Sequence, residues 1–229
     1  MNSSLYFRKS KWYFSVLFLL FLIGSLLLVV YGKGKSFMLL NQYHTSSLND
    51  FFTYYTHVGD GLFSLCIVVL LFLVKKKKEA LAVLLSFLIS GLLAQILKNL
   101  ITSPRPKLFF TSDQYAQFIE GVTLSNNSSF PSGHTTSAFA VATVLILLIQ
   151  NKSWQLPILI AATLVGYSRI YLGQHFLTDV LIGAFIGTIS GIYSIHLTDQ
   201  ITNKKRLKQQ KNTGYSDSTL SSNSEAKTI

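Results

Sequence analysis

Charge, acidic residues and cysteine are scarce in this sequence. Charged residues make up 13% of the 229 residues, whereas a soluble domain carries about 25%, so the composition excludes an ordinary water-soluble domain. The single cysteine, Cys66, lies inside an apolar run, which excludes an intrachain disulfide and a cysteine metal cluster. Hydrophobic residues reach 49%, with 17 Phe and 11 Tyr, and this composition indicates contact with lipid.

Basic residues outnumber acidic ones, at 20 Lys and Arg against 9 Asp and Glu, and the formal net charge is +11. They gather in three patches that flank apolar segments: Arg8, Lys9 and Lys11; Lys75–Lys78; and Lys204, Lys205, Arg206, Lys208 and Lys211. Flanking charge of this kind orients membrane proteins in the bilayer. Its placement therefore disfavours nucleic acid as a partner.

Six apolar runs predict membrane helices. They are Trp12–Tyr31, Gly61–Val74, Ala80–Leu100, Thr135–Ile149, Leu156–Tyr171 and Asp179–Leu197. A spanning helix needs about 20 mostly apolar residues, so the second run must extend back through His57–Asp60, and the fourth and fifth need polar motif residues. We therefore predict an all-α fold, a six-transmembrane-helix bundle over residues 1–202. A basic, polar tail that is disordered is predicted over residues 203–229.

The basic patches share one side of this predicted bundle, and the positive-inside rule makes that side cytoplasmic, together with the N- and C-termini. The opposite side of the cell membrane faces outward and receives three connections: Gly32–Val58, Ile101–Gly133 and Leu172–Thr178. Four cations depart from the rule because they fall on the outer side, namely Lys98, Arg105, Lys107 and Arg169. Cations placed against the charge bias suggest a local function there.

Three polar motifs fall at this outer edge. They are Lys98-x6-Arg105-Pro106, then Pro131-Ser132-Gly133-His134, and then Ser168-Arg169-x5-His175-x3-Asp179. Taken singly, each has an ordinary explanation, since Lys98 can extend to the interface, Ser132 can cap a helix and Asp179 can favour a helix start. Together they place three cations, two histidines, a carboxylate and a helix N-terminus on one side. Phosphoryl transfer needs such a set, because it requires charge neutralisation, a nucleophile and a proton donor.

The three motifs, in this order and spacing, resemble the signature of the type 2 phosphatidic acid phosphatase superfamily. That superfamily also includes the vanadium haloperoxidases, and the resemblance is to its membrane lipid phosphatase branch. The resemblance covers residues 81–190 by motif, and the six-helix layout extends it to most of the chain. It implies a membrane lipid phosphatase with its site at the outer edge of the bilayer.

The resemblance also implies a role for each motif residue. His175 would attack phosphorus and form a phosphohistidine, Asp179 would hold its other ring nitrogen, and His134 would protonate the leaving oxygen. The implied phosphate-binding residues are Lys98, Arg105, Ser132, Gly133 and Arg169, and the implied supporting residues are Ser168, Pro106 and Pro131. Fixed cations can replace Mg²⁺ in such a site, so neither a metal nor another cofactor is expected.

His57 and Asp60 precede the second apolar run in the sequence His-Val-Gly-Asp-Gly. They could contact a substrate head group at the outer edge. They could also be a polar helix start with Asp60 near the cap, and this second interpretation is favoured.

The expected partners are a lipid phosphate substrate and the bilayer, with no obligatory protein partner. Undecaprenyl diphosphate, phosphatidylglycerophosphate, phosphatidic acid and the lipid A phosphates all fit an outward site. One alternative is a phosphotransferase, in which the hydroxyl of another lipid takes the phosphoryl group. A small transporter is a weaker alternative, because the apolar runs carry almost no charge at mid-membrane depth.

Overall fold

The computed structural model describes residues 10–115, 117–119, 128–149 and 151–225, and their regular elements are helices. In chain order the α-helices are α1 Lys11–Leu40, α2 Ser46–Tyr55, α3 Gly61–Leu73, α4 Lys77–Leu100, α5 Pro106–Phe109, α6 Gly133–Leu148, α7 Gln155–Tyr171 and α8 Leu177–Glu225. Short 3₁₀ turns at Thr56–Gly59 and Lys152–Trp154 precede α3 and α7. The all-α prediction is confirmed, and each of the six apolar runs coincides with one of these helices, two of them ending one residue beyond it, at Val74 and Ile149.

Three helices in the described part of the chain are long and apolar enough to cross a membrane, namely α1, α4 and α8 over Leu177–Gln209. A fourth span is added if the segments Ser46–Gly59 and Gly61–Leu73 are counted together. Helix α6 is apolar but has only 16 residues. Length and composition therefore support three or four spans where the sequence predicts six.

The second predicted span is broken where it was expected to continue as a helix. The Thr56–Gly59 turn ends at Asp60, whose backbone is extended (φ −72°, ψ 152°), and α3 begins directly after it. The extended residue interrupts the hydrogen-bond ladder of the helix, and the two segments are bent by 57°. The predicted extension through His57–Asp60 is thus a sharp turn beside the motif residues.

The predicted outer loop Gly32–Val58 is largely helical. Helix α1 continues past Gly32, which has a positive φ of 70° that glycine adopts without steric cost. The segment beyond this kink ends at Leu40 and carries Phe37, which is fully buried. The Phe37 ring packs against those of Phe176 and Phe110, with centroids 5.6 Å away in each case. Burial of this ring stabilises a helical segment where the sequence suggested a loop.

Helix α6 lies at the centre of the bundle, since twelve of its sixteen residues are buried. It packs against α4, α7 and α8. Glycines at every fourth position of α8 allow its close approach to α6: a Cβ added to Gly183 would lie 2.7 Å from the carbonyl oxygen of Ser132, and one added to Gly191 would lie 2.8 Å from that of Ala140. Small residues in this spacing let two helix backbones come together. The start of α6 is thereby held against the start of α8, where two of the three motifs meet.

The proposed division into a membrane domain over residues 1–202 and a tail over residues 203–229 stays a prediction. Helix α8 is continuous across that boundary as far as Glu225. Arg8 and Lys9 of the N-terminal basic patch lie outside the described residues.

Candidate active site

His175 lies in the turn between α7 and α8, and Asp179 lies in the first turn of α8. The side chains of both are almost fully buried, at 3% and 1% exposure, and Nδ1 of His175 is 3.6 Å from Oδ2 of Asp179. The same carboxylate oxygen accepts hydrogen bonds from the Ser129 hydroxyl at 2.5 Å and from the Phe176 amide at 3.0 Å. The Ser129 hydroxyl is also 3.4 Å from Nδ1 of His175. The carboxylate is therefore fixed beside Nδ1, with Ser129 between the two side chains.

Arg105 lies on the other side of the same imidazole. Its Nη1 is 3.4 Å from Nε2 of His175 and donates to the backbone oxygen of Gln174 at 3.0 Å and to its side-chain oxygen at 3.2 Å. The guanidinium is only 5% exposed. The two hydrogen bonds to Gln174 therefore fix the guanidinium beside the imidazole. Positive charge is thus concentrated at the ring nitrogen that faces away from Asp179.

Burial lowers the pKa of the His175 imidazole well below its usual range. The charges of Arg169 and Arg105 act in the same direction, while the hydrogen-bonding and charge of Asp179 oppose it. An imidazole in these surroundings is neutral near pH 7. A neutral imidazole has a lone pair available, as a nucleophile requires.

The start of α6 combines a helix cap with an open N-terminus. Ser132 is the N-cap residue: its hydroxyl accepts from the Thr135 amide at 3.4 Å, and its own amide donates to the backbone oxygen of Asp179 at 3.1 Å. A Cβ added to Gly133, the first residue of the helix, would meet no atom of the described residues within 4 Å. Space at a helix N-terminus, with its amides and dipole, suits an anion.

Lys98 and Arg169 bring two further cations to this place. The Lys98 ammonium donates to the backbone oxygen of Ser128 at 2.8 Å, and it lies within electrostatic reach of Arg105, Arg169 and Asp179. Arg169 is 8% exposed and donates from Nη1 to the Thr56 hydroxyl at 2.6 Å. Its Nε is buried and has no hydrogen-bond partner among the described residues. A buried guanidinium N–H without a partner is costly, and an anionic ligand oxygen would satisfy it.

His134 contacts the other carboxylate of the site. Its Nε2 is 2.6 Å from Oδ1 of Asp60, and Nδ1 of His57 is 2.7 Å from Oδ2 of Asp60. These side chains are more open than His175, with exposures of 30% for His134, 35% for Asp60 and 67% for His57. Asp60 does occupy the N-cap position of α3, but its side chain makes no capping hydrogen bond. The favoured interpretation of Asp60 as a cap therefore does not describe what its carboxylate contacts.

The three residues with implied supporting roles are Ser168, Pro106 and Pro131, and they differ in how they relate to the site. The Ser168 hydroxyl donates to the backbone oxygen of Val165, within its own helix, at 2.7 Å. Pro106 is the first residue of α5 and follows Arg105 directly. Pro131 precedes the N-cap residue Ser132. Pro106 and Pro131 are adjacent in sequence to residues of the site, whereas the Ser168 contact is a bond of the helix itself.

Sequence reasoning missed three side chains that hold the motif residues. Ser129 lies three residues before Ser132, and Gln174 directly precedes His175, so proximity to a motif was the available signal. Thr56 has no such signal, because it meets Arg169 only through the packing of the Thr56–Gly59 turn on α7. Polar side chains that position a charged group are not distinguished from loop residues by composition.

The site contains cationic nitrogen groups and two carboxylates, and each carboxylate contacts a different histidine. Within the described ranges there is no group of three or more His, Cys, Asp or Glu side chains that could hold a metal ion. The arrangement suits a tetrahedral anion, since Arg105 and Arg169 act on the buried His175 and Lys98 lies within electrostatic reach of both.

Comparison with known proteins places these residues in a family. The model of the PAP2 superfamily matches residues 79–203. The undecaprenyl-diphosphatase of Sulfolobus acidocaldarius is 28% identical over 195 residues, which cover 82% of this chain and 92% of that protein. Phosphatidylglycerophosphatase B of Bacillus subtilis is 34% identical over 155 residues, which cover 62% of this chain and 71% of that protein. The crystal structure of Aquifex aeolicus LpxE aligns with a TM-score of 0.60 and 34% identity, over 72% of this chain and 94% of that chain.

The matched region begins in α4 and ends in α8, and it contains all three polar motifs. The relatives are phosphatases of membrane lipids, and the helices of this chain are long and apolar enough for several membrane crossings. The chain belongs to the PAP2 superfamily and is a multi-pass membrane phosphatase.

Proposed function

We propose that the protein removes phosphate from a phosphate monoester or diphosphate of an envelope lipid, through a phosphohistidine on His175. The observation that carries this proposal is the surroundings of that imidazole: Asp179 beside Nδ1 and the Arg105 guanidinium beside Nε2. An attacking Nε2 next to a cation meets a phosphoryl group whose charge is already compensated. The unpartnered Nε of Arg169 adds a donor for one of its oxygens.

In the first step the lone pair of His175 Nε2 forms a bond to phosphorus, and the bond from phosphorus to the lipid oxygen breaks. The imidazole becomes positively charged, and the Asp179 carboxylate stabilises that charge through Nδ1. His134 gives its proton to the leaving lipid oxygen, so that a monoester releases an alcohol rather than an alkoxide and a diphosphate releases a lipid phosphate that carries this proton. Lys98, Arg105, Arg169 and the amides at the start of α6 would bind the phosphoryl oxygens.

In the second step a water molecule attacks phosphorus and the bond from phosphorus to Nε2 breaks. His134 takes a proton from this water and so returns to its starting state. Inorganic phosphate leaves, and His175 is neutral again. If the hydroxyl of a second lipid replaced the water, the same intermediate would give a transferase, and no free phosphate would appear.

The lipid nature of the substrate is supported by the position of the site at the ends of apolar helices and by the relatives. An undecaprenyl-diphosphatase and a phosphatidylglycerophosphatase are among them. Their substrates share a phosphate at the membrane surface on a long apolar chain. We further propose that the site faces outward and that both termini are cytoplasmic, as the distribution of basic residues favours.

The test is phosphate release by the purified protein in detergent from four substrates: undecaprenyl diphosphate, phosphatidylglycerophosphate, phosphatidic acid and lipid A. We expect release from at least one of them, absent from a His175→Ala protein prepared in the same way. Consumption of substrate without free phosphate would favour the transferase. No turnover of any of the four lipids would contradict the proposal.

A further inference from the structure

The turn Thr56–Gly59, between α2 and α3, lies outside the three motifs and contacts two residues of the site. Its first residue, Thr56, accepts the hydrogen bond of Arg169 at 2.6 Å. Its last residue, Gly59, is packed so closely that an added Cβ would lie 2.9 Å from Cβ of His134 and 2.6 Å from Cγ1 of Val165. The backbone oxygen of His134 would also lie 3.0 Å away, and neither it nor Cβ could move without shifting α6. The absence of a side chain at Gly59 therefore lets the following residue, Asp60, lie directly against His134.

Asp60 uses both oxygens of its carboxylate at this place. Oδ1 is 2.6 Å from Nε2 of His134 and Oδ2 is 2.7 Å from Nδ1 of His57. A carboxylate at this distance fixes the tautomer and the orientation of an imidazole. Because Nε2 of His134 is occupied by Asp60, Nδ1 is the nitrogen left to exchange a proton with a reacting oxygen.

The charge of Asp60 matters as much as its geometry. Burial opposes a proton on the His134 ring most strongly, the charges of Arg169, His57 and Arg105 act in the same direction, and the charge of Asp60 favours the proton. An acid surrounded by the cations that bind phosphate would otherwise lose its proton before the reaction. The Asp60 carboxylate offsets part of this effect, so the proton on His134 should be harder to retain without it.

We propose that Asp60 is the positioning residue of the general acid: it holds Nε2 of His134 so that Nδ1 donates to the leaving oxygen. This inference rests on the proposed function and adds to it a residue that lies outside the matched region 79–203. In the first step the Nδ1–H bond of His134 breaks and a bond from hydrogen to the lipid oxygen forms. In the second step Nδ1 regains a proton from the attacking water. Asp60 stays ionised throughout and keeps the Nε2 proton on His134.

The leaving group distinguishes this role from a merely structural one. An alkoxide is a poor leaving group and depends on an acid, whereas nitrophenolate leaves without one. The experiment uses the full-length protein in detergent and measures the first turnover by rapid quench. Asp60→Asn should slow the first turnover of phosphatidic acid by about 10²-fold. The burst of nitrophenolate from p-nitrophenyl phosphate should change by less than about threefold, because that step needs no proton donor.

Asp50→Asn is the matched control, since it removes the same charge from an exposed position on α2. It should leave both first-turnover rates within about twofold. Asp60→Glu should recover part of the rate on phosphatidic acid, because a carboxylate is again within reach of His134. In a His134→Ala protein, Asp60→Asn should add less than about twofold to the loss, because both side chains act as one unit.

Equal losses on both substrates in a folded Asp60→Asn protein would overturn the inference, as would a full additional loss in the His134→Ala background. Thermal unfolding and size-exclusion chromatography establish whether the variant is folded. Should Asp60→Asn not fold, Asp60→Glu and Asp60→Ser carry the same two-substrate comparison. A wild-type protein that turns over neither substrate would overturn the proposed function and this inference together, whereas the other outcomes bear on Asp60 alone.

Discussion

The two histidine–aspartate pairs of the site lie in different surroundings. His175 and Asp179 are 3% and 1% exposed and are joined by one turn of chain at the start of α8. His134 and Asp60 are 30% and 35% exposed and come from two segments that meet only in the folded bundle. Burial keeps the first imidazole neutral, as a nucleophile requires, whereas the second pair lies where a leaving group and water can reach it. In the proposed mechanism the two histidines have opposite tasks, and they differ in solvent exposure and in the carboxylate that each contacts.

Removal of the buried imidazole should have the largest effect. His175→Ala eliminates the atom that forms the bond to phosphorus, so we expect a loss of at least about 10⁴-fold in phosphate release. An alkaline quench, which preserves the acid-labile phosphohistidine, should show a labelled protein in the wild type after reaction with radiolabelled substrate and none in the variant. Near-normal activity of His175→Ala would remove the distinction between the two histidines altogether.

Asp179→Asn should come next, with a loss of about 10²- to 10⁴-fold. An amide cannot stabilise the positive imidazole that forms during attack, and it favours the wrong tautomer at Nδ1. Ser129→Ala in parallel should cost about tenfold, since it removes one of the hydrogen bonds that orient the carboxylate. Both losses are measured as kcat on the lipid that the wild-type protein turns over. Equal losses for Asp179→Asn and Asp60→Asn on a nitrophenyl substrate would mean that the two pairs do not differ in role.

Arg105→Gln should lower kcat/KM by about 10²-fold, because it removes one preorganised cation from the transferring phosphoryl group. Lys107→Gln is the matched control, two residues further along and on the exposed surface of α5. It removes the same formal charge but should change kcat/KM by less than about twofold. If both variants lost activity equally, general positive charge rather than the placed guanidinium would be responsible.

The direction in which the rate changes with pH should reveal the protonation of His175 in the buried pair. His175 attacks only when it is neutral, and burial lowers its pKa. The acid limb of the pH–rate profile, where His175 becomes protonated, should therefore lie below the usual imidazole pKa of about 6.5. The nitrophenolate burst rate at saturating substrate, followed from about pH 8 to about pH 4, measures this limb. A limb above the usual imidazole value would contradict the effect of burial on the nucleophile.

Chelation should have the smallest effect. Fixed cations at His175 supply the charge that Mg²⁺ supplies in other phosphoryl-transfer sites. Activity after EDTA treatment should therefore stay within about twofold of the untreated protein. Orthovanadate should inhibit, because it mimics the five-coordinate state at the same cations. A strong loss in EDTA, restored by a divalent metal, would contradict the metal-free route.

Much of the site could be predicted where a short stretch of chain carries the information. His175 and Asp179 are separated by three residues, and Ser132-Gly133 precede an apolar run, so helical geometry alone brings each set together. The bend at Asp60 was not predicted, because the second run, Gly61–Val74, is short for a span and its extension back through His57–Asp60 was expected to be helical. Gln174 and Ser129 also escaped prediction, since their hydrogen bonds depend on where Arg105 and Asp179 are held in space.

The sequence by itself determined the membrane character, the helical fold and the chemistry of the motifs, because composition, apolar run length and local spacing are properties of the linear chain. Only the tertiary structure decided that the Asp60 carboxylate contacts His134. The contact between Asp60 and His134 joins a turn outside the motifs to the start of a central helix, and it depends on the packing of Gly59 against that helix. Packing of this kind acts between segments distant in the chain, and no periodicity or spacing in either segment records it.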